Sequence, residues 1–232
     1  MSAMTHQKSI YTYISSIAIS LCMLLAAIPA NAKDKDDSAK NDSVPLFNGF
    51  AVSVDLVGPV QMLIGDYGQY EAALRINLKD RYFPIVEAGI GKADHTNDAT
   101  DISYKTSAPY WKIGVDFNLL KNKHDIYRLF AGVRYAFTSF KYDISHPGMT
   151  DPVWGDTAQF EADGVKCSYQ WLEAVIGVDA KMWGPVHLGW SLRYRSRLSH
   201  NDGALGNTWY VPGYGTSGGS NIGGTFNITV DI

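Results

Sequence analysis

The residues best equipped for chemistry are Ser199, His200 and Asp202, in the run Leu198-Ser199-His200-Asn201-Asp202. A hydroxyl, an imidazole and a carboxylate are the parts of a hydrolase that attacks through an activated serine. The order is unfavourable: neighbouring residues of an extended chain point to opposite faces, and Ser199 directly precedes His200. A second group is acidic, with Asp143, Asp151, Asp156, Glu161 and Asp163 between Asp143 and Cys167. Calcium sites use such carboxylates in an ordered ligand pattern that this spacing lacks, so a solvated loop is expected. Cys22 and Cys167 are the two cysteines and show no metal-type spacing. No catalytic residue, cofactor or metal is expected.

The third group is larger and does plainer chemistry, the pairing of charges. Asp55, Glu71, Glu87, Asp116, Glu173 and Asp179 recur in segments that also carry Arg75, Lys112, Arg134, Lys181, Arg193, Arg195 and Arg197. What positions them is a two-residue rhythm. Tyr70, Ala72, Leu74, Ile76 and Leu78 alternate with Glu71, Ala73, Arg75 and Asn77; Trp111, Ile113, Val115, Phe117 and Leu119 alternate with Lys112, Gly114, Asp116 and Asn118. A period of two means β-strands with two different faces. Eight strands are predicted: Phe50–Val57, Tyr70–Leu78, Phe83–Lys92, Tyr110–Leu119, Tyr127–Tyr142, Ser168–Met182, Val186–Ser199 and Gly223–Ile232. No amphipathic helix of useful length competes with them. The connections through Lys79-Asp80-Arg81, Lys121 to Asp125 and Trp183-Gly184-Pro185 are short, whereas Gly58–Gln69, Ala93–Pro109, Asp143–Cys167 and His200–Ile222 are long. Short turns on one side and long loops on the other suit an outer-membrane barrel.

Periodicity alone leaves open which face points inward, because a lipocalin-like soluble barrel is also built from about eight strands. Glycine favours the charged face as the interior. Gly89, Gly91, Gly114, Gly132, Gly177, Gly189 and Gly223 all share that face, and an eight-stranded barrel has an interior barely wide enough for its side chains. Near-balance of charge points the same way, since buried charges must pair. The expected lumen charges are Glu71, Arg75, Glu87, Lys112, Asp116, Arg134, Glu173, Asp179, Arg193 and Arg195. The apolar face, with Val52, Val54, Val86, Ile90, Val133, Leu172, Ile176, Leu192, Phe226 and Val230, then meets lipid. Aromatics gather toward strand ends: Tyr82, Phe83, Tyr127 and Trp183 on the turn side, Tyr70, Tyr110, Trp111, Phe137, Tyr169 and Tyr194 on the loop side. They form two interfacial girdles or pack in the core.

The ends of the chain agree with export. Lys8 is the sole charged residue of the first 32, an apolar stretch runs from Ile14 to Ile28, and Ala30-Asn31-Ala32 fits a signal-peptidase site. The expected organisation is a signal peptide over 1–32, a polar flexible linker over 33–46 and a barrel over 47–232. Removing the leader takes one basic residue and no acidic one, leaving 19 basic against 23 acidic residues. That balance argues against nucleic acid as a partner. Cys167 would then be the remaining cysteine, so no intramolecular disulfide is expected.

From Phe47 to Ile232 the chain resembles the small OmpA/OmpX-type barrels of Gram-negative outer membranes. Three stretches, Asp116 to Lys121, Trp171-Leu172-Glu173-Ala174 and Asn207 to Gly215, are similar to an uncharacterised outer-membrane-barrel family of unknown function. That resemblance implies location and fold, and implies no activity. The last strand, Phe226 to Ile232, resembles the terminal recognition strand of such barrels, with Ile232 where an aromatic residue is usual. The His200 segment is faintly similar to that of lipid A deacylases, which place a serine two residues after the histidine, where this chain has Asp202.

The expectation is therefore an all-β, eight-stranded antiparallel up-and-down transmembrane barrel in the outer membrane. Its role would be structural or surface-interacting, without enzyme activity. The partners would be outer-membrane lipid and lipopolysaccharide or surface glycans met by the outer loops, in particular the Gly203–Gly224 loop with Trp209, Tyr210 and Tyr214. That loop could equally fold over the barrel mouth. A monomer is expected. The alternatives are a lipid-modifying enzyme of the lipid A deacylase kind and a narrow pore, against which a charge-filled lumen argues.

Overall fold

The structure, a computed structural model, describes residues 45–120, 126–150, 157–206 and 208–232. The expected signal peptide, the linker up to residue 44, the turn at 121–125, and Asp151 and Asp156 lie outside the described residues.

Eight strands close into a barrel in the order β1-β10-β7-β6-β5-β4-β3-β2. They are β1 (Phe47–Asp55), β2 (Tyr67–Leu78), β3 (Tyr82–Asn97), β4 (Ile102–Asn118), β5 (Tyr127–Thr150), β6 (Thr157–Trp183), β7 (Val186–Asn201) and β10 (Ser220–Asp231). Each pairs antiparallel with its neighbours. Two short strands, β8 (Tyr210–Val211) and β9 (Gly215–Thr216), make a hairpin of their own. One helix, α1 (Val57–Ile64), follows β1.

Local chemistry sets the short turns. Lys79 and Asp80 both have φ near +55°, at 55° and 54°, and the Arg81 N–H bonds the Leu78 carbonyl at 3.1 Å. That is the two-residue turn whose twist matches a hairpin. At the opposite end the strands run on. β3 and β4 stay paired up to Asn97↔Ile102, and β5 and β6, at 24 and 27 residues, stay paired up to Thr150↔Thr157. The expected long loops Ala93–Pro109 and Asp143–Cys167 are thus mostly strand. The apolar outer face vanishes there because Asp94, Thr96, Ser103 and Lys105 occupy it, while Ala93 and Tyr104 still point inward and backbone pairing needs no apolar outer face. The Gly58–Gln69 loop likewise contains the unexpected α1.

The wall is apolar outside. Val52, Val54, Leu74, Val86, Ile90, Trp111, Ile113, Val133, Leu172, Ile176, Leu192, Phe226 and Val230 are all exposed. So are Tyr70, Phe137 and Tyr194 toward the long-hairpin end, and Tyr82, Tyr127 and Trp183 toward the turn end. Tyr110, Tyr169 and Phe83 depart from that girdle: they point inward and are buried.

Candidate functional site

The charged residues converge because strand register places them opposite one another. Glu87 pairs with Lys112, Arg134 with Glu173, and Glu173 in turn with Arg195. Glycines stand opposite several of the charges: Gly132 faces Asp116, Gly114 faces Arg134 and Gly189 faces Asp179. A Cβ on Gly132 would collide with the Asp116 carboxylate, and one on Gly89 with the Tyr110 ring. Those glycines clear the width that long side chains need to cross the lumen.

All ten residues Glu71, Arg75, Glu87, Lys112, Asp116, Arg134, Glu173, Asp179, Arg193 and Arg195 lie buried inside the barrel. The set holds five acids and five bases. At its centre Lys112 Nζ sits 2.9 Å from Glu71 Oε2, 3.1 Å from Glu173 Oε1 and 3.8 Å from Glu87 Oε2. Arg193 Nη1 meets Glu71 Oε1 and Glu87 Oε2, each at 2.9 Å. Arg134 bridges to the next layer: Nε donates to Glu87 Oε1 at 2.7 Å and Nη2 to Asp116 Oδ2 at 3.0 Å. Its Nη1 lies 2.9 Å from Asp116 Oδ1 but out of line for a hydrogen bond, so that contact is Coulombic. Arg75 continues the ladder, with Nη2 3.5 Å from Asp116 Oδ2 and Nη1 3.3 Å from Asp179 Oδ2. Lys181 is exposed, and Arg197 is half-buried with its guanidinium 6.0 Å over the Tyr169 ring, so neither belongs to the buried set. Asp55, also buried, turns its carboxylate to the N–H groups of Val57, Gly58 and Phe226.

This layer fills the tube at its level. The free space among Ser53, Asp55, Glu71, Arg75, Glu87, Arg134 and Arg193 amounts to about 10 Å³, scarcely enough for one water molecule.

Above the ionic layer lies a second, aromatic one, in which Tyr110 and Tyr169 take the core-packing alternative and the Gly203–Gly224 loop the alternative of folding over the mouth. Tyr104, Tyr110, Phe140, Tyr142, Tyr169 and Trp171 point inward and pack with Tyr210, Val211 and Tyr214 of the β8–β9 hairpin, which fills the mouth. The two layers are stitched together: Tyr110 donates to Glu71 Oε2 at 2.8 Å, and Trp171 Nε1 donates to Glu173 Oε1 at 2.8 Å. The signal is present as phase. Counting back in twos from Lys112 gives Tyr110 and Tyr104, and from Glu173 gives Trp171 and Tyr169. The hairpin itself carries no such phase. Burial of Tyr210 and Tyr214 also removes them from the surface on which sugar contact was an option; Trp209 stacks on His95 with centroids 4.2 Å apart.

The Ser199–His200–Asp202 group sits at the rim. His200 Nε2 is 3.4 Å from Asp202 Oδ2. The other Asp202 oxygen accepts from Thr208 Oγ1 at 2.9 Å and from the Tyr169 hydroxyl. Ser199 makes no hydrogen bond to His200 among the described residues. Burial pushes the Asp202 carboxyl up, but the Tyr169 and Thr208 hydroxyls and the His200 and Arg197 charges outweigh it and hold the group below the usual carboxylate range. The geometry therefore ties the mouth hairpin to the wall. Among the described residues no group of three or more metal-ligating side chains forms.

A family model described as a domain of unknown function (DUF6048) matches residues 14–231. No curated protein matches the sequence. Among solved structures, the chain is similar to Neisserial surface protein A (10% identity, 80% of this chain and 99% of that one, TM-score 0.45). It is also similar to a major outer membrane protein from Thermus thermophilus (14% identity, 79% and 98%, TM-score 0.42). A third is Ail, the attachment invasion locus protein of Yersinia pestis, solved with the heparin analogue sucrose octasulfate (9% identity, 79% and 93%, TM-score 0.36).

Proposed function

The chain belongs to the family described as a domain of unknown function (DUF6048), and as one of its members we propose that it works as a sealed outer-membrane barrel presenting its long-hairpin rim to the cell surface. One observation carries the reading: large apolar side chains stand exposed all round the wall while ten charged ones are buried within it. Water-soluble proteins arrange the two the other way. An apolar belt of that extent finds its partner in lipid. Export by a signal peptide cut after Ala32, with residues 33–46 as a linker, belongs to the same reading.

The outer-leaflet partner in this reading is lipopolysaccharide, met through its phosphates. Lys141 and Lys166 are directly opposed across β5 and β6, and Lys92 is opposed to Ser107, the β4 residue beside Lys141. All three lysines point outward, are exposed, and have no ion-pair partner among the described residues. They stand just beyond the ring of Tyr70, Trp111 and Phe137, where an interfacial aromatic girdle would put the lipid phosphates. Lys92 and Lys141 also line an open groove of about 810 Å³ together with Lys105, which Asp94 neutralises at 3.2 Å.

Cell fractionation with gel electrophoresis tests the membrane claim. The protein is expected in the outer-membrane fraction, to migrate faster unboiled than boiled, and to begin at Lys33. Recovery in the soluble periplasm overturns the reading.

A further inference from the structure

The barrel wall is incomplete along one seam. β1 and β10 pair from Ala51↔Asp231 to Asp55↔Asn227, and β1 and β2 pair up to Val54↔Ala72. Beyond those points β10 (Ser220–Phe226) and β2 (Tyr67–Glu71) have no strand between them. An open sheet edge is not tolerated in hydrocarbon unless protein covers it or it lines a wet cavity.

Protein covers it. Helix α1 occupies the gap with its polarity reversed. Val57, Val60, Leu63 and Ile64 face outward, Leu63 and Ile64 at 85% and 83% exposure, while Gly58 and Gln61 face the barrel. The helix docks closely on the β2 bank: a Cβ on Gly58 would strike the Gln69 carbonyl, and one on Gly68 would stand 2.6 Å from the Gly58 carbonyl and 2.7 Å from Met62 N. On the β10 bank its hydrogen bonds lie at the foot, Leu56 N to the Phe226 carbonyl at 2.8 Å and Phe226 N to Asp55 Oδ1 at 3.1 Å.

Behind the helix is a cavity of about 290 Å³. Its lining includes outward-facing Val57, Ile222 and Gly224. Ile222 is 71% exposed on the outer wall, so the cavity reaches the lipid side between α1 and β10. The interior is rich in donors: Gln61, Gln69, Asn221, Thr216 and Arg195. The side-chain amides of Gln61 and Gln69 make no hydrogen bond among the described residues. Arg195 gives Nη1 to the Tyr214 carbonyl at 2.8 Å and Nε approaches Glu173 Oε1 at 3.2 Å. Its Nη2 makes no hydrogen bond among the described residues and lies beside Gly223, 3.0 Å from where a Cβ would stand. The Asp55 carboxylate is occupied by three backbone N–H groups.

We propose that the seam between α1 and β10 is a lateral portal through which a phosphate-bearing membrane lipid seats its head group in this cavity, on Arg195 and the amides, leaving its acyl chains in the bilayer. An arginine with converging neutral donors suits a phosphate, and the volume lies just under the range of pockets that enclose whole small ligands, as a head group alone requires. The proposal rests on the membrane reading above.

Native mass spectrometry of the full detergent-extracted barrel, titrated with phosphatidylglycerol, tests it. One retained lipid per barrel is expected. Retention should fall about tenfold in Gln61→Trp and, separately, in Asn221→Trp, which fill the cavity from opposite banks; diacylglycerol of the same chain length should not be retained. The heat-dependent mobility shift confirms that each variant is folded. Retention unchanged in both folded variants, equal retention of diacylglycerol, or displacement by inorganic phosphate would each overturn the portal. A barrel that shows the mobility shift but retains no lipid refutes the portal and leaves the membrane reading standing.

Discussion

At the scale of single residues, the lumen is held by buried charges that share partners in one network. Glu87 takes Arg134 and Arg193 at 2.7 and 2.9 Å with Lys112 at 3.8 Å, and at 1% exposure no water replaces them. Glu87→Gln leaves the buried network one negative charge short and should cost about 3–5 kcal/mol, read as a shifted urea midpoint of the folded barrel in vesicles. Adding Arg193→Met should cost less than the sum of the two single changes, because the second removes the excess positive charge that the first creates. Additive losses would show that the pairs act independently. Asp202 makes a different prediction. Its carboxyl is held below the usual range, so its stabilisation of the mouth hairpin is complete above the ordinary carboxylate value of about 4 and fades as pH falls through the lowered one. Protection of the Tyr210 and Val211 amides against hydrogen exchange, taken relative to an unstructured amide at the same pH, should therefore fall in acid, and in Asp202→Asn it should be low already at neutral pH. Equal protection in variant and parent at neutral pH would mean the hairpin is held by its buried tyrosines alone.

At the scale of elements, strand extension is what gives the lysine row its place. β5 and β6 carry Lys141 and Lys166 past the last outward aromatic on a paired wall, so the cations stand at a defined height instead of on loops. Each lysine near an anionic lipid surface contributes on the order of 1 kcal/mol. Reversing all three, Lys92→Glu with Lys141→Glu and Lys166→Glu, should weaken lipopolysaccharide retention on the purified barrel by more than about tenfold, and the difference should shrink at high salt. No change would place the contact elsewhere. Strand extension is illegible in the sequence because a strand is recognised there by one apolar face, and Asp94, Thr96, Ser103 and Lys105 offer none. Helix α1 escapes for a related reason. Eight residues, Val57-Gly58-Pro59-Val60-Gln61-Met62-Leu63-Ile64, are too few to show a helical period, and they include a glycine and a proline that argue against helix in isolation.

At the scale of the molecule, the two inner layers fill the tube at separate levels, and each is expected to act as a seal. The ionic layer leaves about 10 Å³ free, and the β8–β9 hairpin closes the mouth above it. Planar bilayers should show no steady conductance from the intact barrel, and still none after residues 208–217 are replaced by a short Gly-Ser linker: Arg195 then loses the Tyr214 carbonyl, but the ion pairs of Lys112, Arg134 and Arg193 with Glu71, Glu87 and Glu173 involve no residue of that segment. Conductance in the shortened chain would move the seal to the hairpin.

The sequence by itself determined the strand rhythm, which face carries the charge, and that glycine on that face marks a crowded interior. Those properties follow from a period of two along a single chain, and each glycine of the set does face the lumen. Tertiary structure alone decided which charges meet, since Glu87 and Arg193 are brought together by barrel closure across 106 positions of sequence. It also decided that Tyr210 and Tyr214 leave the surface for the mouth, and that one stretch of wall is closed by a helix instead of a strand. Those outcomes depend on space left by other strands, a quantity that no local pattern of residues encodes.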